Sequence, residues 1–163
     1  MDSEIQKIAT LGKPRCKVES MHPYTRKLLK SLEKISLDLI AAQVPVFDLD
    51  KGIATAVDLI CENKEYNALY LIEIKCGYND NTYTDHNSQM RNELKSVSNS
   101  PKHQHQVQAS VTHRLFMSCY STKNHYQSVE TLIARVTDNG THFEPIRSWI
   151  KPYVKGIIER ISK

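Results

Sequence analysis

Residues 57–77 read VDLICENKEYNALYLIEIKCG, and the fold turns on how this stretch is read. Residues 55–61 (TAVDLIC) and Ala68–Cys76 (ALYLIEIKC) are dense in β-branched and aliphatic residues, and ENKEYN lies between them as a polar connection. That is the pattern of a β-hairpin. Side chains alternate along a strand, so Glu73 and Lys75 share one face while Ile72 and Ile74 point to the other. Pairing across the hairpin places Asp58 beside Glu73. Two carboxylates held together repel and are costly to desolvate, and a divalent cation relieves both problems. Oxygen ligands with retained waters suit Mg²⁺, with Mn²⁺ as the alternative. Lys75 stands where an ammonium could orient or help deprotonate a water, or stabilise phosphate charge. The competing reading is a solvated sheet face with a surface ion pair. The apolar flanks and the immediate Gly77 weigh against it.

Upstream, residues 43–49 form a further Val- and Phe-rich strand signal, which gives a three-stranded antiparallel meander. Before it, Pro23 suits a first helical turn, and Leu28, Leu32, Ile35 and Leu39 recur at steps of four, three and four. That spacing predicts an amphipathic helix over residues 23–41. Residues 1–20 contain Gly12, Pro14, Lys7, Lys13, Arg15 and Lys17, and read as a flexible basic arm ahead of a single domain at 21–163.

Downstream, residues 77–101 are rich in Asn (Asn79, Asn81, Asn87, Asn92, Asn99) and nearly free of aliphatic side chains. A polar stretch of this length within a compact domain is expected to be functional or mobile, with a short helix near 88–97. Val107, Val111 and Leu115 mark a helix over 102–119. SVETLIARVT reads as a fourth strand ended by the turn Asp138-Asn139-Gly140. Ile146, Ile150, Tyr153, Ile157 and Ile161 predict a closing helix near 145–162, with Pro152 starting or kinking it. The order α-β-β-β-α-β-α gives an α/β domain with a mixed sheet flanked by helices.

The segment from Asp58 through fourteen residues to Glu73-Ile74-Lys75, together with this element order, resembles the PD-(D/E)xK nuclease superfamily across roughly residues 22–137. The resemblance implies a restriction-endonuclease-like α-β-β-β-α-β core. It further implies a Mg²⁺-dependent deoxyribonuclease of DNA recombination, repair or replication. Asp58 and Glu73 would hold the metal with the Ile74 carbonyl, and Lys75 would position the attacking water. Val57 stands where the motif's name has proline. The phrase LIEIKC is similar to the phage and viral recombination-exonuclease branch. The RecB-like and lambda-exonuclease-like members carry a glutamine on the helix after the motif. Gln104 and Gln108, four apart on one face of the 102–119 helix, are the candidates here, and Gln106 turns away. Some members add a ligand from the first helix, for which Glu33 and then His22 are the candidates.

The hydrophobic fraction of 40% and charged fraction of 25% exclude wholesale disorder. No apolar run approaches the roughly 18 residues of a membrane span. The acidic residues Asp2 and Glu4 and the absence of an apolar core in residues 1–12 read against a secretory signal. Cys16, Cys61, Cys76 and Cys119 lack a CxxC pair, so they read as thiols of a reducing, intracellular compartment, cytoplasm or nucleus. His103 and His105 are two apart and no HxxxH occurs, which argues against zinc. No GxSxG elbow and no GxxxxGK loop is present.

The net charge of +4 permits a polyanionic partner without requiring one. Arg91, Lys95 and Lys102 in one group, and Arg15, Lys17, Arg26 and Lys27 in another, are the candidates for DNA phosphates. Tyr78 and Tyr83 are candidates for stacking on an unpaired base. Two rival functions share these residues. One is a nuclease-like module that binds nucleic acid or a partner without cutting. The other is a structure-specific endonuclease such as a junction resolvase, which is expected to be a homodimer.

Overall fold

The computed structural model describes residues 1–11, 20–77, 88–120 and 125–161. Among the described residues four helices flank a five-stranded mixed sheet. They are α1 (Asp2–Leu11), α2 (Pro23–Lys34), α3 (Pro101–Cys119) and α4 (Lys151–Ile161). The strands are β1 (Asp38–Asp48), β2 (Ile53–Asn63), β3 (Ala68–Cys76), β4 (Ser128–Thr137) and β5 (Gly140–Pro145), in spatial order β1-β2-β3-β4-β5. β1, β2 and β3 form the antiparallel meander, β4 runs parallel to β3, and β5 returns antiparallel to β4. No helix among the described residues is long and apolar enough to cross a membrane.

The sheet buries both faces. On one, Ile5 of α1 and Leu28 and Leu32 of α2 pack with Leu59, Cys61, Ile72, Ala134 and Val136. On the other, Leu115 and Phe116 of α3 pack with Val46, Val57, Ile60, Leu69 and Leu71. Leu59 and Val57 are two apart yet belong to opposite faces. The chain therefore changes face between them, opposite Gln43, whose φ is +53°. Asp58 sits at this switch.

Four expectations are corrected. The first helix stops at Lys34, not at 41. Leu37 N–H donates to Leu32 O at 3.0 Å and Ser36 N–H to Glu33 O at 3.1 Å, with Ser36 at φ +55°. This is a Schellman stop, closed by burial of Leu37 against the core that holds Leu32. Leu39 then belongs to β1, which starts at Asp38. An apolar step of four cannot by itself distinguish a continuing helix from a turn into a strand.

Secondly, the arm expected over residues 1–20 contains α1. Ile5 and Ile8 are buried, and the Glu4 carboxylate accepts from His22 N–H (2.9 Å) and Thr25 Oγ1 (2.5 Å). These bonds hold the Glu4 carboxyl below its usual pKa. Residues 12–19, with Arg15, Cys16 and Lys17, lie outside the described residues.

Thirdly, the tail forms β5 and then a 3₁₀ turn at Ser148–Ile150, so the closing helix starts at Lys151 and not near 145. Fourthly, residues 88–100 are anchored, with Leu94 and Val97 buried. In place of a helix they contain a 3₁₀ turn at Asn92–Leu94 and a Gln89–Ser98 bridge. Residues 78–87, including Tyr78 and Tyr83, lie outside the described residues.

Candidate active site at the fork of the sheet

β2 and β3 pair from Asn63↔Ala68 to Leu59↔Ile72 and then part. Beyond that point β2 stays with β1, and Glu73–Cys76 stay with β4. Asp58 and Glu73 stand at the fork. The Asp58 carboxylate replaces the lost ladder: Oδ2 accepts the Ile74 backbone N–H at 2.8 Å. Oδ1 accepts from Gln43 Nε2 at 3.1 Å. A strand residue presents its N–H and C=O to the same edge, so the Ile74 carbonyl also faces the fork.

Glu73 is 5% exposed. Lys75 Nζ lies 2.7 Å from Glu73 Oε1, and Gln108 Nε2 donates to the same oxygen at 2.6 Å. Lys75 also donates to Gln108 Oε1 at 2.9 Å. The three side chains close a ring, with Glu73 and Lys75 from β3 and Gln108 from α3. Among the described residues Glu73 Oε2 accepts no hydrogen bond. Burial, then the Asp58 charge, push the Glu73 carboxyl above its usual pKa, against the opposing pull of Lys75. One turn before Gln108, burial and then the Lys75 charge bring His105 down to about 4, so its imidazole is neutral near pH 7.

Of the two glutamines, only Gln108 joins the carboxylates. Gln104 is exposed and donates to Asn99 Oδ1 at 2.8 Å. Gln106 is buried and ties α3 to the end of β5, donating to Pro145 O and accepting from Arg147 N–H. Glu33 is an exposed residue of α2, the helix on the other face of the sheet, and stays outside the hydrogen-bonded ring. His22 caps α2, accepting from Tyr24 N–H at 3.2 Å. Lys27 holds the β4–β5 turn, donating to the carbonyls of Thr137 and Asp138, and its neighbour Arg26 is half-buried. Arg91 and Lys95 are exposed, whereas Lys102 pairs with Glu144 at 3.7 Å. Gln43 is the residue that sequence reasoning missed. Its only signal is its place opposite Asp58, which requires the β1–β2 register.

Among the described residues no three His, Cys, Asp or Glu side chains converge. A cation here would rest on the Asp58 and Glu73 carboxylates and the Ile74 carbonyl, an all-oxygen set completed by water, which fits Mg²⁺ and not Zn²⁺. Burial first, and then the neighbouring Asp58 charge, disfavour the ionised form of Glu73, and a cation would offset both. Cys61, Cys76 and Cys119 form no disulfide, and burial pushes the Cys61 thiol up to about 12. Neither a scan against protein-family models nor a search of curated proteins finds a match to this chain.

Proposed function

We propose that the chain is a Mg²⁺-dependent deoxyribonuclease with its reaction centre at the fork between β2 and β3. The observation that carries this reading is the ring of buried Glu73 with Lys75 and Gln108 on one sheet face, beside Asp58 clamped to the Ile74 N–H at the fork. A solvated ion pair needs neither the burial nor the amide bridge. The meander, the crossover helix and the parallel fourth strand support the likeness to the restriction-endonuclease-like core. Mn²⁺ is the alternative cation, and an intracellular role in DNA recombination, repair or replication is the setting this chemistry suits.

Asp58, Glu73 and the Ile74 carbonyl would hold the cation, which when bound acidifies a water and offsets phosphate charge. The chain's own residues do the rest. Lys75, held beside Glu73 by its ion pair, would place its ammonium toward a water and the scissile phosphate. Gln108 would hold both side chains in place, because its amide bonds Glu73 and Lys75 at once. Neutral His105 adds no second positive charge that would compete with the cation.

The test is parallel digestion of linear, circular, single-stranded and branched DNA with Mg²⁺ or Mn²⁺. Cutting of any of these by the wild type, lost in Glu73→Gln, is the expected result. Loss of linear DNA alone identifies an end-dependent enzyme. Cutting of branched DNA alone identifies a structure-specific one, for which a dimer by light scattering is expected.

A further inference from the structure

A cleft of about 590 Å³ opens beside Gln108, between α3, α4 and the folded segment 88–99. Its walls are aliphatic: Val107 from α3, Leu94 from the 3₁₀ turn and Ile157 from α4. The ion pair between Arg160 and Glu93 ties α4 to the 3₁₀ turn, so the walls are braced from outside. The volume falls within the roughly 300–1,000 Å³ of pockets that take small molecules. That is room for one nucleotide, not for a paired duplex.

The polar groups of the cleft point to its occupant. Gln104 Nε2 donates to Asn99 Oδ1 at 2.8 Å, and both residues line the space. This pairing leaves the Gln104 Oε1 acceptor and the Asn99 Nδ2 donor without a hydrogen bond among the described residues. Turning both amides over also leaves one acceptor and one donor. An adjacent donor and acceptor on exposed side chains, lining the same space as the apolar walls, match the edge and the faces of a nucleobase. Arg91 stands at the margin with its charge exposed to solvent, suited to a phosphate. Gln108 is shared, since it lines the cleft and also holds Glu73 and Lys75.

We propose that this cleft is the subsite of a single unpaired nucleobase, so that the strand offered to the fork is single-stranded DNA or an opened duplex end. Binding at the cleft stands on its own, and only the cutting of the bound strand rests on the nuclease reading. An enzyme that seats a base this way discriminates against duplex, because unpairing costs a few kcal/mol, least at a frayed end.

The test uses the full chain and one DNA sequence in three forms: single strand, blunt duplex, and single strand with one central abasic position. Affinity is read by 2-aminopurine fluorescence and anisotropy, with Ca²⁺ in place of Mg²⁺ to separate binding from cutting. The expected result is single-strand binding at least tenfold tighter than duplex binding, and weakened severalfold by the abasic position. Val107→Trp fills the cleft and should weaken single-strand binding at least tenfold while duplex binding holds. Ile157→Trp fills it from the opposite wall and serves if the first variant does not fold.

Equal affinity for single strand and duplex, or unchanged single-strand affinity in a folded variant, overturns the proposal. A Mn²⁺ arm separates the two readings. Preferential single-strand binding without any cutting supports the base subsite and removes the nuclease reading. Cutting of all three forms at equal affinity and equal rate supports the nuclease and removes the subsite.

Discussion

The Asp58 carboxylate accepts the backbone N–H of Ile74 at 2.8 Å, across the gap where β2 and β3 cease to pair. One side chain thus closes the fork and supplies negative charge beside Glu73. The two roles separate by substitution. In Asp58→Asn the amide oxygen can still accept from Ile74, and Gln43 can turn over to accept from the new NH₂ group. We expect stability within about 1 kcal/mol of wild type, as for surviving hydrogen bonds, with cation binding and cutting lost. In Asp58→Ala the Ile74 N–H has no acceptor, which costs about 1–3 kcal/mol. Urea unfolding of both variants checks this. Equal destabilisation would mean that the Ile74 bond carries no weight.

How far the sequence displays this site depends on the range of each signal. Glu73 and Lys75 are readable because strand alternation puts them on one face, and Asp58 because the short hairpin brings it near, although the ladder ends one residue before it. Gln104 and Gln108 lie one helical turn apart, and periodicity alone cannot choose between them. The choice comes from Asn99, which takes Gln104, and from the position of Glu73, which takes Gln108. The long-range features are not legible. The stop of α2 depends on Ser36 adopting φ +55° and Leu37 finding the core. The docking of α1 depends on Glu4 meeting the start of α2 eighteen residues later. Strand β5, GTHFEP, has only Phe143 as an inward anchor and gives too short a pattern to stand out.

The N-terminal helix is expected to be structural. Ile5 is 2% exposed, and Ile5→Ala should cost about 2–5 kcal/mol, the range for emptying such a core position. Thermal melts check this. A change below about 0.5 kcal/mol would make α1 dispensable and restore the expectation of a loose arm.

His105 makes stability depend on pH. Its folded value of about 4 lies below the ordinary histidine value, so between the two the unfolded chain binds the extra proton. The contribution is therefore complete above about pH 6.5 and is lost as pH falls toward 4. At about 1.4 kcal/mol per unit, the whole interval amounts to roughly 3 kcal/mol. Denaturant midpoints from pH 7.5 to 4.5 should fall more in the wild type than in His105→Gln. Parallel curves would show that His105 does not titrate differently on folding.

The basic residues near the cleft should divide. Arg91 and Lys95 face solvent, whereas Lys102 is occupied by Glu144. Neutralising Arg91 and Lys95 together should reduce the slope of log K against log salt for single-stranded DNA by about 1.4, at roughly 0.7 per phosphate contact. Lys102→Gln should leave the slope unchanged. A loss of slope confined to Lys102→Gln would move the strand's path toward β5.

The role of Lys75 is tested by measuring DNA affinity and turnover on one preparation of Lys75→Ala. Lys75 is bound to both Glu73 and Gln108, so its loss leaves a buried carboxylate without its counter-charge. A modest fall in melting temperature, reversed by Mg²⁺, is expected. Cutting with Mg²⁺ or Mn²⁺ should fall by about two or more orders of magnitude, while affinity for uncut DNA changes by less than about tenfold. Affinity and turnover falling together, or a wild type that binds but cuts no DNA offered, would rule out the nuclease and leave a binding module in its place.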